Sequence, residues 1–164
     1  MISFELATFS DLENIVATYN STIESRMVTA DLEPVSVESK ISWFNQHNAV
    51  TRPLWIVKQD NLYLGWMSFN SFYGRPAYEG CVEVSIYLNN EAKGKGIGKQ
   101  CLNKAILCAK EIKIHTLLGF IFAHNTPSLN LFNQFGFKEW ANLPAIANMD
   151  GIMKDLKIVG LKIE

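Results

Sequence analysis

Cysteine and histidine are scarce in this chain of 164 residues, three of each, and neither set is spaced to hold a metal. His47, His115 and His124 show no ligand spacing among themselves or with the cysteines, so no metal is expected. Cys101 and Cys108 stand seven apart on one expected helix, roughly 10 Å at 1.5 Å per residue, which is too far for a disulfide. Reduced thiols and a cytoplasmic location follow as expectations. Long apolar runs are missing too. No stretch approaches the ~20 residues needed to span a bilayer, and the chain enters an alternating strand pattern at once, with no basic leader and apolar signal core. Neither sign of charge dominates: 15 Lys and Arg face 16 Asp and Glu, a formal net charge of −1, which argues against a nucleic-acid surface. Internal repeats, linkers and low-complexity segments are absent as well.

What is present is the balance of a folded chain. Hydrophobic residues make up 48% and charged residues 19%, and the length suits one domain over 1–164. The most informative stretch is Val82–Ala105. Val82, Val84, Ile86 and Leu88 alternate with Glu83, Ser85 and Tyr87 as on a strand, and Leu102, Ala105, Ile106, Ala109 and Ile112 then fall at helical spacing. Between them lies Lys93-Gly94-Lys95-Gly96-Ile97-Gly98-Lys99. Alternate glycines let backbone N–H groups converge without Cβ obstruction, and a helix N-terminus behind them adds about half a positive charge. A phosphate or pyrophosphate suits such a nest. The dinucleotide fingerprint fails, because from Gly94 its last glycine would be Lys99. A P-loop fails as well, because it needs glycine at Lys93 and Ser or Thr at Gln100.

The rest of the chain reads in order as strand Ile2–Thr8 and a helix capped by Ser10 with Glu13. A loop or irregular helix over Ser21–Pro34 comes next. A second helix runs from Ser36 to about His47. Strands Trp55–Lys58 and Leu62–Phe72 turn at Asp60-Asn61, and Leu117–Ala123 reads as a buried strand. A helix capped by Thr126, with Pro127 at its first helical position, runs to about Phe135 and stops at Gly136, and Ile152–Ile163 reads as a last strand or hairpin partner. The order β-α-α-β-β-β-α-β-α-β describes a mixed α/β sheet.

Lys93, Gly96 and Gly98 resemble the acyl-CoA loop of the GNAT superfamily of N-acetyltransferases, usually Gln/Arg-x-x-Gly-x-Gly/Ala, with Lys in place of Gln or Arg. Asn125-Thr126-Pro127-Ser128…Phe132…Gly136-Phe137 resembles that family's second half. Tyr19-Asn20, Trp43-Phe44…His47, Arg75-Pro76-Ala77-Tyr78, Glu83-x-x-Ile86-Tyr87-Leu88 and Gly151…Asp155 are similar to its phosphinothricin and methionine sulfoximine acetyltransferase branch. The resemblance implies the GNAT fold: a mostly antiparallel mixed sheet, splayed in a V between the strands at 81–88 and 117–123, with about four helices. It implies acetyl-CoA as cosubstrate, a small primary amine as acceptor, such as an amino acid or analogue, and a homodimer.

The resemblance also suggests roles. Gly94, Lys95, Gly96, Ile97, Gly98 and Lys99 would receive the pyrophosphate. Ile86, Tyr87 and Leu88 would form the edge along which pantetheine pairs as an extra strand, with the Leu88 amide aimed at the thioester oxygen. Asn125 would contact the cofactor, although an asparagine there also suits a turn. Glu83 would be the general base, a carboxylate whose pKa a surrounding of Val, Ile and Tyr would raise. A solvated strand carboxylate is the plainer alternative. Arg75 beside Tyr78 would hold an acceptor carboxylate through the guanidinium fork, and Met153 replaces a tryptophan of the branch. Phe132 stands where relatives carry Tyr or His near the departing sulfur, and phenylalanine has no proton to give. Acetylation of a peptide or protein amine and a non-catalytic CoA-binding module are the competing readings. Trp43, Trp55, Trp66 and Trp140 read as core or interface aromatics.

Overall fold

A computed structural model describes all residues, Met1–Glu164. The backbone is β1 (Ile2–Leu6), α1 (Leu12–Ile23), α2 (Val37–Asn45), β2 (Leu54–Gln59), β3 (Leu62–Ser71), β4 (Cys81–Leu88), α3 (Ile97–Glu111), β5 (Thr116–Phe122), α4 (Thr126–Gln134), β6 (Lys138–Met149) and β7 (Ile152–Lys162). One seven-stranded sheet carries them in the order β1-β2-β3-β4-β5-β7-β6. Every pairing is antiparallel except β4 with β5.

That parallel pairing is short. It joins only Cys81–Glu83 to Thr116–Leu118, after which β4 and β5 diverge, and this is the expected V. β4 stays paired to β3 along its whole length, from Val82 opposite Ser71 to Leu88 opposite Gly65. The far half of β4 therefore has backbone partners on one side only.

The two faces of the sheet bury different helices. Met67, Phe69, Val82 and Val84 pack with Ile97, Cys101, Leu102 and Ala105 of α3 and with Phe132 of α4 in the larger core. Ile56 and Trp66 pack with Ile15 of α1 on the opposite face, joined by Trp43 and Phe44 of α2. Each fully buried aliphatic side chain in these clusters contributes about 1.5–3 kcal/mol. The Trp66 indole N–H also donates to the Ile15 carbonyl at 3.0 Å, pinning α1 to the sheet. Asp60 and Asn61 turn β2 into β3 with φ of 49° and 68°, the two positive values a type I′ hairpin requires. Cys81, Cys101 and Cys108 are free and buried.

Four local expectations need correction. The first cap is Thr8, not Ser10: the chain leaves the extended region at Thr8, whose amide donates to Asp11 Oδ2 at 2.7 Å. A short 3-10 turn, Phe9–Asp11, thus precedes α1. The cap of α4 is Asn125, not Thr126. Its Oδ1 accepts from the Ser128 amide at 3.2 Å, and the Leu129 amide already bonds to the Asn125 carbonyl at 3.1 Å, so the helix begins one residue earlier. The expected loop over 21–34 starts later, because α1 runs through Ile23. Finally, a whole strand, β6, precedes the expected last one. It lies at the sheet edge and breaks register between Leu143 and Ala147, where Pro144 lacks an N–H and Ala145 has φ of 48°. Proline is tolerated on such an edge. Asp155 on β7 repairs the break by accepting from the Ala145 amide at 2.8 Å and from Asn142 Nδ2 at 3.1 Å, and these bonds hold its carboxyl below the usual range.

Candidate active site

The divergence of β4 from β5 opens a cleft of about 280 Å³, continuous with solvent. Glu83 through Leu88 line one wall, Phe120 and Ile121 the other, and Asn125, Ser128, Leu131 and Phe132 of α4 close one side. The backbone of β4 is presented to it. The Asn89 amide donates to the Leu64 carbonyl at 2.8 Å, so Leu88 and Gly65 form a non-hydrogen-bonded antiparallel pair. The Leu88 N–H therefore points away from β3, into the cleft, and alternation gives Ile86 the same orientation. An extended amide-bearing chain fits here as an added strand.

The glycine loop lies at the end of this cleft. Gly94 and Gly96 both have φ of 72°, with open space where a Cβ would project, and Gly96 caps α3. The first bond of α3 runs from the Gln100 amide to the Gly96 carbonyl, leaving the amides of Ile97, Gly98 and Lys99 without intrahelical acceptors. Lys93 and Gly98 line the cleft itself. Gly94, Lys95 and Lys99 are exposed beside it, and none of the three loop lysines enters an ion pair. The Ile97 side chain is buried in the core, so only its amide is available to a ligand. A Cβ on Gly98 would lie 2.9 Å from Leu131, a close approach that keeps α3 against α4.

Glu83 is the one carboxylate lining the cleft. Burial alone pushes its pKa up, with no hydrogen bond or neighbouring charge acting on it. It also lines a second recess, with Trp43, His47, Asn70 and Arg52, on the α2 side of the sheet. Asn70 faces it across β3 and β4 and is fully engaged. Its Oδ1 accepts from Trp43 Nε1 at 3.2 Å and lies 3.1 Å from His47 Nε2, while its Nδ2 donates to the hydroxyls of Ser68 and Ser85. Burial lowers the His47 pKa.

Other residues sit less directly. Arg75 and Tyr78 line a separate small recess that meets the Glu83 recess at Arg52 and Ser71, common to both. Arg52 is held there by Ser71 Oγ at 2.8 Å and the Glu79 carbonyl at 2.9 Å. Asn125 spends its side chain on structure, capping α4 and donating to the Met27 carbonyl at 3.1 Å. Phe132 reaches the cleft but is seated on Gly119 of β5 and against Phe137, 6% exposed. The loop after α1 lies over the cleft through Ser25 and Val28 and is tied down by Arg26 to Asp150 at 2.7 Å and by Tyr19 to Asp31. The Asn70–His47 network and the cleft contacts of Ser25 and Phe120 carry no local sequence signal, because they arise from tertiary packing.

The sequence that builds this splayed strand and its glycine loop is matched by a family model. Residues 3–138 match the Acetyltransferase (GNAT) domain. The chain belongs to the GNAT acetyltransferase family. Among GNAT relatives, the Bacillus subtilis (strain 168) protein named "Putative phosphinothricin acetyltransferase YwnH" is 48% identical over 163 residues, 99% of each chain. The Pseudomonas aeruginosa L-methionine sulfoximine/L-methionine sulfone acetyltransferase is 26% identical over 160 residues, 96% of this chain and 92% of that one. A crystal structure of a protein designated like the first superposes with a TM-score of 0.95 at 48% identity, covering 100% of this chain and 99% of its own. The GNAT frame expected from Lys93, Gly96 and Gly98 is the frame observed. No helix is long and apolar enough to cross a membrane, and no three His, Cys, Asp or Glu side chains lie together.

Proposed function

We propose that this GNAT enzyme acetylates the primary amine of an amino acid or close analogue, using acetyl-CoA, with Glu83 as general base. The observation that carries the reading is Glu83 itself: an unpaired, half-buried carboxylate on the strand whose free amide edge lines the cleft. The names of the relatives, phosphinothricin and methionine sulfoximine acetyltransferases, support the acceptor class.

Acetyl-CoA supplies an activated acetyl thioester. The unpaired amides of Gly94–Lys99 receive the pyrophosphate, and the exposed lysines around them add charge. The edge from Ile86 to Leu88 orients the pantetheine, and the Leu88 N–H stabilises negative charge on the acyl oxygen. Glu83, directly or through one water, takes a proton from the acceptor ammonium. The freed nitrogen bonds to the acyl carbon and sheds its second proton to solvent, the carbon–sulfur bond breaks, and the sulfur takes its proton from solvent because Phe132 has none to give. Arg75 and Tyr78 grip the acceptor carboxylate from the recess that adjoins Glu83 at Arg52. Asn125 acts by holding α4 and the Met27 loop around the cleft.

We also infer one domain, a homodimer and a cytoplasmic location. Exposed Trp140, Ile146, Ile152 and Met153 on the β6–β7 hairpin support the dimer, and three free thiols support a reducing compartment. Incubation with acetyl-CoA and an amino-acid panel, reading free thiol, tests the reaction. Thiol release dependent on an amino acid is expected, and none with any amine would contradict it.

A further inference from the structure

Between α1 and α2 the chain runs along the cleft, where Ser25 and Val28 line it. No helix or strand carries these two residues, so tertiary bonds must hold them. His124 and Asn125, consecutive in the turn between β5 and α4, donate to consecutive carbonyls of this loop. His124 Nε2 lies 2.8 Å from the Arg26 carbonyl oxygen, and Asn125 Nδ2 donates to that of Met27 at 3.1 Å. A carbonyl only accepts, so Nε2 carries the ring hydrogen. The other ring nitrogen, Nδ1, is buried with no hydrogen-bond partner, and the ring stacks on Phe122 with centroids 5.4 Å apart. The Arg26 carbonyl is thus the only hydrogen-bond partner of the His124 ring.

Arg26 itself sits at φ of 54°, in the left-handed region that residues other than glycine rarely adopt and that persists where the surroundings fix it. Two contacts are placed to do so. Its guanidinium forks onto Asp150 of the β6–β7 turn at 2.7 and 3.5 Å. The Asp150 side chain is 59% exposed, however, and exposed ion pairs contribute little. The His124 bond is shielded on its ring side and is the stronger anchor.

The loop also stands on a particular side of the sheet. α3, which the glycine loop caps, and α4 pack on one face, and α1 and α2 on the other. Acetyl-CoA seated on the glycine loop occupies the first face, which leaves the second to the acceptor. That placement rests on the N-acetyltransferase reading. We propose that His124 is a positioning residue for acceptor binding: it fixes Arg26 and thereby sets Ser25 and Val28 against β4 across the cleft.

The test uses the full chain with His124→Phe and His124→Gln. Phenylalanine keeps a ring on Phe122 and loses the donor, whereas glutamine puts an amide N–H where Nε2 stands. Hydrogen exchange reads the loop without turnover, through the Arg26 and Met27 amides, which bond to the Ile23 carbonyl and to Ser25 Oγ. His124→Phe should speed their exchange roughly two- to tenfold, the range of one neutral hydrogen bond. It should raise KM for phosphinothricin by a similar factor, with kcat and the calorimetric affinity for acetyl-CoA held. His124→Leu, smaller and equally without a donor, should repeat the result. His124→Gln should restore both readings, and Asp150→Ala should loosen the loop less than His124→Phe. Unchanged exchange in either donor-free variant, a loosened loop with unchanged KM, or failure of glutamine to restore overturns the proposal. A larger effect of Asp150→Ala would hand the anchor to the ion pair and overturn it as well. Wild-type protein that releases no thiol would count against the reaction alone, and the exchange rates would still decide whether His124 holds the loop.

Discussion

Asn70 and Glu83 stand directly opposite each other on β3 and β4, and only one of them has hydrogen-bond partners. The amide is shared among Trp43, His47, Ser68 and Ser85. The carboxyl has none, and burial raises its pKa. Partial burial without a counter-charge or hydrogen bond penalises the charged form of a carboxyl, and groups perturbed in this way concentrate where chemistry is done.

Stability should record that arrangement. Between the ordinary glutamate pKa and the raised folded value, the folded protein holds a proton that the unfolded chain has released, so stability falls as pH rises through this window. Glu83→Gln removes the titration. Melting curves should show the variant gaining on the wild type as pH increases from about 4 to about 8. A constant difference across that range would mean that the carboxyl is not perturbed.

Gly96→Asp should abolish acetyl-CoA binding in a folded protein. Gly96 has φ of 72° and open space where a side chain would project, so the backbone cost is about 1–2 kcal/mol, while the new carboxylate opposes a pyrophosphate at the α3 N-terminus. Calorimetry showing unaltered affinity would remove the loop from the binding site.

Arg75→Ala should raise KM severalfold for amino-acid acceptors and leave decarboxylated amines and acetyl-CoA affinity unaffected. Equal losses for both acceptor classes would make Arg75 a packing residue, in keeping with its contact to the Tyr73 ring at 5.7 Å.

Phe132→Tyr should keep cofactor affinity, because the ring is anchored on Gly119 and Phe137, and should raise kcat severalfold if sulfur departure limits the rate. An unfolded variant would show that the ring edge faces packed core rather than cleft.

The part of the fold legible in the sequence is the part where local chemistry and tertiary role coincide. Val82–Leu88 alternates because Val82 and Val84 face the packed α3 core while Glu83, Ser85 and Tyr87 face the half-buried α1–α2 side, and glycines follow it where the chain adopts positive φ. The caps fall on Thr8 and Asn125 because their carbonyls accept the first turn bonds, from the Asp11 and Leu129 amides, and Ser10 and Thr126 are merely the nearest good cap formers. β6 is hidden because an edge strand with Pro144 and a break at Ala145 shows little alternation. Glu83 and the Leu88 edge are readable as a strand pattern. The recess behind Glu83 is not, since it exists only where α2 and the β3–β4 face bring Trp43, His47 and Asn70 together.

The most direct test of Glu83 as general base is the pH dependence of kcat/KM for wild type beside Glu83→Gln. The wild-type profile should rise through one ionisation and show no falling limb from a thiolate donor below about pH 9. Glu83→Gln should lower kcat by roughly 10²–10⁴, with a deficit that narrows as pH nears the acceptor's own amine pKa. Parallel profiles of near-equal rate at every pH would contradict that role and leave Glu83 a strand residue.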